Sequence, residues 1–291
     1  MSAVFRKDMR QYLGNPTGYV FLTLFIATTA AAAFLQDGFF ARNLADLAEL
    51  NAMMPAILMF FVPAITMSAW AEERRGGTDE LLLTMPVRDV EVVLGKYLGV
   101  LGMYAISLAF SLSNVGVLMY LGDPDTGLMV STYLGYLLMG ALFCAIGLVA
   151  SMLTNNATVA FILGAVGCAG LVFAGTQPWA SGVLGAAVLG AIVALIAYVL
   201  TNKPSMAGLG GLVGGIVAVF AWLAAGSGDG EGAEALRNDN EFVQAFDALS
   251  VTDHVASFGE GVIRLGDVTY FAAGIVVLLY LASFLLGRRH W

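Results

Sequence analysis

The sequence predicts an all-α, polytopic membrane protein of about eight transmembrane helices, with an N-terminal interfacial helix and a short cytoplasmic helix. Of its 291 residues 59% are hydrophobic and only 12% are charged, whereas soluble domains carry about a quarter charged residues. Its mean hydropathy is +0.84. Apolar runs of about 20 residues, the length at which a helix crosses a bilayer, recur along the chain. Lipid cannot satisfy exposed backbone groups, so each such run is expected to be helical.

The N-terminal residues 2–14 read as a helix that lies in the membrane interface. Apolar side chains alternate there with the cations Arg6, Lys7 and Arg10, a pattern typical of interfacial helices. A cleaved signal peptide is the alternative, but many further apolar runs follow and the first one is longer than a typical signal core. Asn15-Pro16 then breaks the chain before the first span.

Eight apolar runs are candidate transmembrane helices. They cover residues 18–35, 53–70, 92–121, 128–153, 157–175, 182–200, 207–225 and 268–286. The third is longer than a bilayer needs, so we expect its first turns to emerge into water with Glu91 and Lys96. The fourth and fifth are separated only by the tight turn Thr154–Asn156. The seventh contains Gly211 and Gly215 at G-x-x-x-G spacing, which favours close helix packing.

Two polar segments interrupt this pattern. Residues 71–87 hold the densest charge in the chain, and residues 226–267 form a long acidic stretch, predicted to be an extracytoplasmic loop with a re-entrant segment. Asn114 is a polar residue inside the third span. A hydrogen bond to a neighbouring helix is the expected use of such a residue.

The charges agree with this topology. With eight spans and both termini in the cytoplasm, ten of the 13 Lys and Arg residues and seven of the 21 Asp and Glu residues lie on the inner side. Cations accumulate on the cytoplasmic side of membrane proteins. We therefore expect a multi-pass protein of the cytoplasmic membrane. Since charge is segregated by face, the low pI does not indicate a nucleic-acid or other charged partner.

Residues for catalysis are scarce in the sequence. His254 and His290 are predicted on opposite sides of the membrane, and Cys144 and Cys168 lie inside apolar runs. We predict no catalytic residue, metal site or bound cofactor in this chain, because no nucleophile with a base, carboxylate pair or metal cluster is apparent. The sequence has no phosphate-binding G-x-x-x-x-G-K-[ST] loop. The span centres carry no ionisable residue, which argues against ion-driven transport. Energy would then come from another protein, through a contact on the cytoplasmic face.

The stretch 71–87 fits such a contact. Thr78 can cap a short helix that begins near Asp79, Leu81–Leu83 offer an apolar ridge, and Pro86 stops the helix,. Such a helix could insert into a groove of a partner. The alternative is that "EERR" is a solvated anchor beside a span.

Three segments resemble a known family. "AEERRGGTDELLLTMPVRDVEVVLGKYLG", Ala71–Gly99, resembles the E-E-[KR]-x-x-G-T-x-E-x-L-L-x-x-P-[IV] signature of ABC-2 type exporter permeases. "ALSVTDHVASFGEGVIRLGDVTYF", Ala248–Phe271, and "KDMRQYLGNPTGYVFLTLF" near the N-terminus are similar to the gliding-motility GldF and NosY-like branch. Residues 182–225 depart from the usual six-span pattern and look like an extra pair of transmembrane helices.

The resemblance implies a role for particular residues. The ATPase-coupling residues would be Glu72, Glu73, Arg74, Gly77, Thr78, Glu80, Leu81 and Pro86, with the turn Thr154, Asn155 and Asn156 as a second contact. The outer gate would be Phe258, Gly261, Val262 and Ile263. The resemblance further implies a permease subunit for export, paired with a second copy or a paralogue and with two copies of an ABC ATPase that bind ATP and Mg. The acidic loop would meet an extracytoplasmic auxiliary protein.

Two other functions stay open at this point. The same coupling helix could transmit mechanical work to an extracytoplasmic partner, as in gliding or envelope machinery, without transport of a small molecule. An intramembrane enzyme would need a residue set that the sequence does not reveal. The substrate is not encoded either, because the spans are generic Leu, Val, Ala, Gly and Phe.

Overall fold

A computed structural model describes most of the chain as helices. It covers residues 2–35, 46–77, 88–122, 124–174, 190, 193, 211, 213–217 and 248–287. The helices are α1 (Ser2–Gly14), α2 (Pro16–Phe34), α3 (Ala48–Thr66), α4 (Ser68–Arg75), α5 (Asp89–Ser111), α6 (Ser113–Leu121), α7 (Thr126–Leu153), α8 (Ala157–Phe173), α9 (Val251–Gly259) and α10 (Leu265–Gly287). These residues contain no strand. The predicted all-α class is confirmed.

Four stretches of helix in the described part are long and apolar enough to cross a membrane. They are Ala48–Arg75, Asp89–Leu121, Thr126–Leu153 and Leu265–Gly287. A fifth span results if α1 and α2, bent by 72° to each other, are counted as one. The chain is therefore a multi-pass membrane protein. Most of the predicted spans 182–200 and 207–225 lies outside the described residues, so the count of eight stays a prediction.

The helices fall into two compact units, Met1–Cys168 with His254–Trp291 and Ala169–Asp253. In the first unit α7 is the central helix, and glycines let its neighbours approach. Gly140 lies against the ring of Tyr104 on α5, and Gly147 lies against Thr66 on α3. Small residues at such contacts are the usual means of packing helices in lipid, where van der Waals contact replaces the hydrophobic effect.

Within the second unit, glycines also mark a close contact. A methyl group placed on Gly190 would lie 3.0 Å from the carbonyl oxygen of Gly211 and 3.4 Å from the amide nitrogen of Gly215. The G-x-x-x-G spacing thus marks a close backbone approach, as predicted. Thr252 donates a hydrogen bond to the carbonyl of Val172 at 2.9 Å.

One expectation about the membrane boundary is wrong, and one about a buried polar group is right. Residues 71–75 complete α4, and the short helix expected from Asp79 lies outside the described residues. Lys96 does not emerge into water, since it is only 1% exposed. Asn114 on α6 donates a hydrogen bond of 3.3 Å to Thr29 on α2, so the predicted bond between helices is present.

Candidate functional site

The predicted coupling stretch begins with the last turn of α4. Arg74 and Arg75 occupy that turn, where cations interact favourably with the carboxyl end of the helix dipole. Gly77 follows with φ of +65°, a left-handed conformation that glycine adopts without strain. The helix therefore stops there. Of the predicted coupling residues, four lie outside the described residues: Thr78, Glu80, Leu81 and Pro86.

Glu73 is held between two lysines from different helices. Its carboxylate lies 2.8 Å from the Nζ atom of Lys96 on α5 and 2.7 Å from that of Lys7 on α1. The side chain of Glu73 is 12% exposed, whereas that of Lys7 is 54% exposed. Three helices thus meet at one carboxylate. We call Lys7, Asp8, Glu73 and Lys96 the Glu73 cluster.

Lys96 is the most buried charge of the cluster. Besides Glu73, its ammonium donates a hydrogen bond of 2.6 Å to the carbonyl of Ala69 and lies 4.8 Å from the ring centroid of Trp70. An ammonium removed from water loses several kcal/mol of hydration unless charge and hydrogen-bond partners replace it. A carboxylate, a carbonyl and an aromatic face supply that replacement here. All three come from α4, so Lys96 fixes α4 onto α5.

Asp8 brings a second carboxylate into the cluster from α1. It is 7% exposed and shares a crevice of about 10 Å³ with Glu73, Lys96, Tyr12 and other residues of α1 and α4. That volume holds about one water molecule. Burial raises the pKa of Asp8 above its ordinary value; Lys96 opposes this, Glu73 adds to it, and Lys7 opposes it.

Ser151 ties α4 to the end of α7. Its hydroxyl oxygen accepts hydrogen bonds from the amides of Trp70 and Ala71 at 2.9 and 3.1 Å and donates one to the carbonyl of Met67 at 3.0 Å. The first amides of a helix lack partners within it. Here a side chain from another helix caps them. The end of α7 therefore lies beside the start of α4.

The turn Thr154–Asn156 follows Ser151 directly and closes the hairpin between α7 and α8. Thr154 accepts a hydrogen bond from the amide of Asn156 at 3.2 Å. The side chain of Asn156 in turn accepts one from the amide of Thr158 at 2.9 Å and caps α8,. Asn155 and Asn156 are exposed. The structure thus brings this turn and the α4 end, with exposed Glu72, to the same end of α7.

The predicted gate residues lie near the opposite end of α7. Phe258 is fully buried, and its carbonyl accepts a hydrogen bond from Ser131 at 2.8 Å. Gly261 terminates α9 with φ of +81°, and the amide of Val262 donates to the carbonyl of Ser257 at 3.0 Å. Val262, like Ile263, is exposed. Phe258 is therefore a packing residue of the helix end, and the other three form its exposed turn.

A polar cluster joins α9 to α10 beside this turn. His254 Nδ1 lies 2.7 Å from one oxygen of Asp267, and Ser257 donates to the other oxygen at 2.5 Å. The ring of Tyr270 stacks on His254 with centroids 4.0 Å apart. A Ser, a His and an Asp meet here, but the hydroxyl of Ser257 contacts the carboxylate of Asp267 and the backbone carbonyl of His254. A nucleophile activated by histidine needs its hydroxyl proton on the imidazole side. This cluster therefore joins α9 to α10 through side-chain hydrogen bonds.

Lys7, Lys96 and Ser151 were missed as parts of the site. Lys96 had one signal in the sequence, because a lone cation inside a long apolar run is costly and needs a partner. Lys7 and Ser151 had none, since hydroxyls and interfacial lysines are common in such positions. Among the described residues no group of three or more His, Cys, Asp and Glu side chains could hold a metal ion.

Comparison with known proteins identifies a matching family. The model of the family described as "ABC-2 family transporter protein" matches residues 20–225. No curated protein matches the sequence.

Proposed function

The chain belongs to the ABC-2 family of transporter proteins, and from this membership we propose that it is the transmembrane permease subunit of an ATP-driven exporter. A separate ABC ATPase would bind ATP and Mg and bind this chain through the α4 end, residues 78–87 and the turn Thr154–Asn156. The proposal includes two ATPase copies, a second permease copy or paralogue, and both termini in the cytoplasm. It also includes membership of the GldF and NosY-like branch and an outer gate formed by Phe258, Gly261, Val262 and Ile263.

One observation carries the proposal: two stretches far apart in sequence, each expected to contact the ATPase, lie at the same end of α7. The link is the hydroxyl of Ser151, which contacts α4 three residues before the turn begins. Ser131, which contacts Phe258, is 20 residues earlier on α7. At 1.5 Å per residue this is about 30 Å, the thickness of the hydrocarbon core. The coupling end and the gate end would therefore lie on opposite sides of the membrane.

The Glu73 cluster changes the role of one predicted residue. Glu73 is engaged by Lys7 and Lys96 inside the chain, so we assign it to positioning of α4 and not to contact with the ATPase. Glu72 is exposed on the same helix turn. Glu72 is therefore the better candidate for direct contact.

Site-specific crosslinking to the ATPase tests the proposal. The chain would be purified with a candidate ABC ATPase, after a photoreactive amino acid has replaced Asn155 or, separately, Glu72. The matched control carries the same amino acid at Val262, which is exposed at the other end. We expect crosslinks to the ATPase from the first two positions and none from the control.

Two results would contradict the proposal. Crosslinks of equal yield from Val262 would mean that the ATPase does not select the α4 end. A stable complex without crosslinks from either Asn155 or Glu72 would place the contact elsewhere. Measured in the same complex, ATP hydrolysis that responds to Glu72→Ala and to Asn155→Ala would add the coupling that crosslinks alone do not report.

A further inference from the structure

The exposed face of α1 carries two arginines without a partner in the described part of the chain. The opposite face packs on the protein: a methyl group placed on Gly99 would lie 3.0 Å from Asp8, and one on Gly102 would lie 3.1 Å from the sulfur of Met9. Arg6 and Arg10 are exposed and, four residues apart, lie on one side of the helix. Amphipathic burial thus turns both guanidinium groups away from the protein.

The charge of this face is not compensated by any of the described residues. Asp8 is the one acidic residue of α1, and it is buried in the Glu73 cluster. Lys7 is paired with Glu73. Arg6 and Arg10 form no ion pair with another described residue, and two like charges at this spacing destabilise a helix. An external anion would remove that repulsion.

The depth of α1 along the candidate span Asp89–Leu121 indicates where that anion lies. The helices α5 and α6 run continuously from Asp89 to Leu121 as one candidate span of 33 residues, and α1 packs on it at Gly99 and Gly102. From Leu121 back to Gly102 is 19 residues, or about 29 Å at 1.5 Å per residue, close to the hydrocarbon thickness. Tyr120, 90% exposed at the far end, suits the opposite headgroup layer. Therefore α1 lies at the headgroup level of its own leaflet.

We propose that Arg6 and Arg10 bind the headgroup phosphate of an anionic glycerophospholipid such as phosphatidylglycerol. Guanidinium groups form paired hydrogen bonds with phosphate oxygens, and two of them on adjacent turns can share one phosphate diester. The 72° bend between α1 and α2 lays α1 across the membrane surface if α2 crosses it. The lipid then holds α1 in the interface from the side opposite to the Glu73 cluster.

Spin-labelled lipids test this in the purified chain. Phosphatidylglycerol and phosphatidylcholine probes with the same acyl chain are added in turn to nanodiscs that contain the protein, and electron spin resonance gives the fraction bound. Each basic residue near an anionic lipid surface is worth roughly a fivefold gain in association. We therefore expect Arg6→Gln with Arg10→Gln to lower the preference for phosphatidylglycerol roughly 25-fold. Arg6→Lys with Arg10→Lys should keep part of it, because charge remains without the paired geometry.

The matched control is Arg75→Gln with Arg88→Gln. Both arginines are exposed, and Arg88 precedes Gly99 by 11 residues, or about 16 Å along the helix, so it lies outside the headgroup level. The preference should survive in this control. An equal loss of phosphatidylglycerol preference in the control would mean that the lipid responds only to the overall positive charge, which would overturn the proposal. An unchanged preference in the Arg6→Gln with Arg10→Gln variant would overturn it as well. Displacement of the lipid by inorganic phosphate would identify a site for the free anion instead, and displacement by the purified ATPase would identify a protein contact.

Discussion

Substitution of Glu73 by glutamine should destabilise the chain far more than loss of its exposed partner Lys7. Glu73→Gln leaves the ammonium of Lys96, which is 1% exposed, with the carbonyl of Ala69, the face of Trp70 and the Coulombic attraction of Asp8, but without its paired carboxylate. Removal of one member of a buried ion pair costs about 3–5 kcal/mol. In Lys7→Met the lost partner is a 54% exposed side chain, and exposed pairs contribute only about 0–1 kcal/mol.

The double variant Glu73→Gln with Lys96→Met isolates the pair from other effects of the substitutions. Once both charges are gone, neither member of the pair is left without the other, and replacement of a buried pair by apolar groups is often neutral. We expect its free energy of unfolding to lie within about 1 kcal/mol of the original chain. The interaction energy from the cycle would then be of the order of the single-variant loss.

The assay is equilibrium unfolding by dodecyl sulfate in mixed micelles, followed by helical circular dichroism. Lys7→Met is the matched control, since it removes a lysine bound to the same carboxylate. Equal losses in Glu73→Gln and Lys7→Met would refute the reasoning, because burial would then not determine the energy. Additive losses in the double variant would do so as well.

Three further variants test other contacts. In Gly135→Ala the new methyl group would lie 2.8 Å from Phe258 Cβ; overpacking should cost about 1–3 kcal/mol, whereas Gly116→Ala, which meets no atom within 4 Å, should be neutral or stabilising in the same unfolding assay. Ser151→Ala should cost about 1–3 kcal/mol because it leaves buried amides unpaired. Because the pKa of Asp8 is raised, the folded chain binds this proton more tightly than the unfolded chain does. Stability should therefore fall as the pH rises from the ordinary pKa of 3.8 through the raised pKa. When the free energy of unfolding is measured against pH, the Asp8→Asn variant should not show this part of the decline.

Much of the fold follows from local pattern in the sequence. In the described part of the chain the apolar runs agree within a few residues with the four candidate spans, because a helix in lipid needs a set number of apolar side chains. The bond from Asn114 was predictable for the same reason: an amide inside a span must find a partner on another helix. The turn Thr154–Asn156 was predictable from its length and composition.

The site was harder to predict, because its contacts join residues distant in sequence. The helix continues past Trp70 to Arg75, because Glu and Arg are good helix formers, although Glu-Glu-Arg-Arg reads as the start of a polar segment. Lys96 was expected in water because polar residues usually mark the ends of a span. The carboxylate that compensates the burial of Lys96 is provided only by the packing of α4 on α5. The periodicity of the sequence does not predict that packing.

The hydroxyl of Ser151 has a consequence for how the chain is built into the membrane. The amides of Trp70 and Ala71 are in the second candidate span, but the oxygen that caps them is 81 and 80 residues further along the chain. While α7 is still being synthesised, this early helix start has no side-chain cap, and water or lipid headgroups must serve in its place. The hydrogen bonds of the second span are therefore complete only after α7 has entered the bilayer. The order of synthesis favours a late adjustment of α4, after most of the surrounding helices have formed.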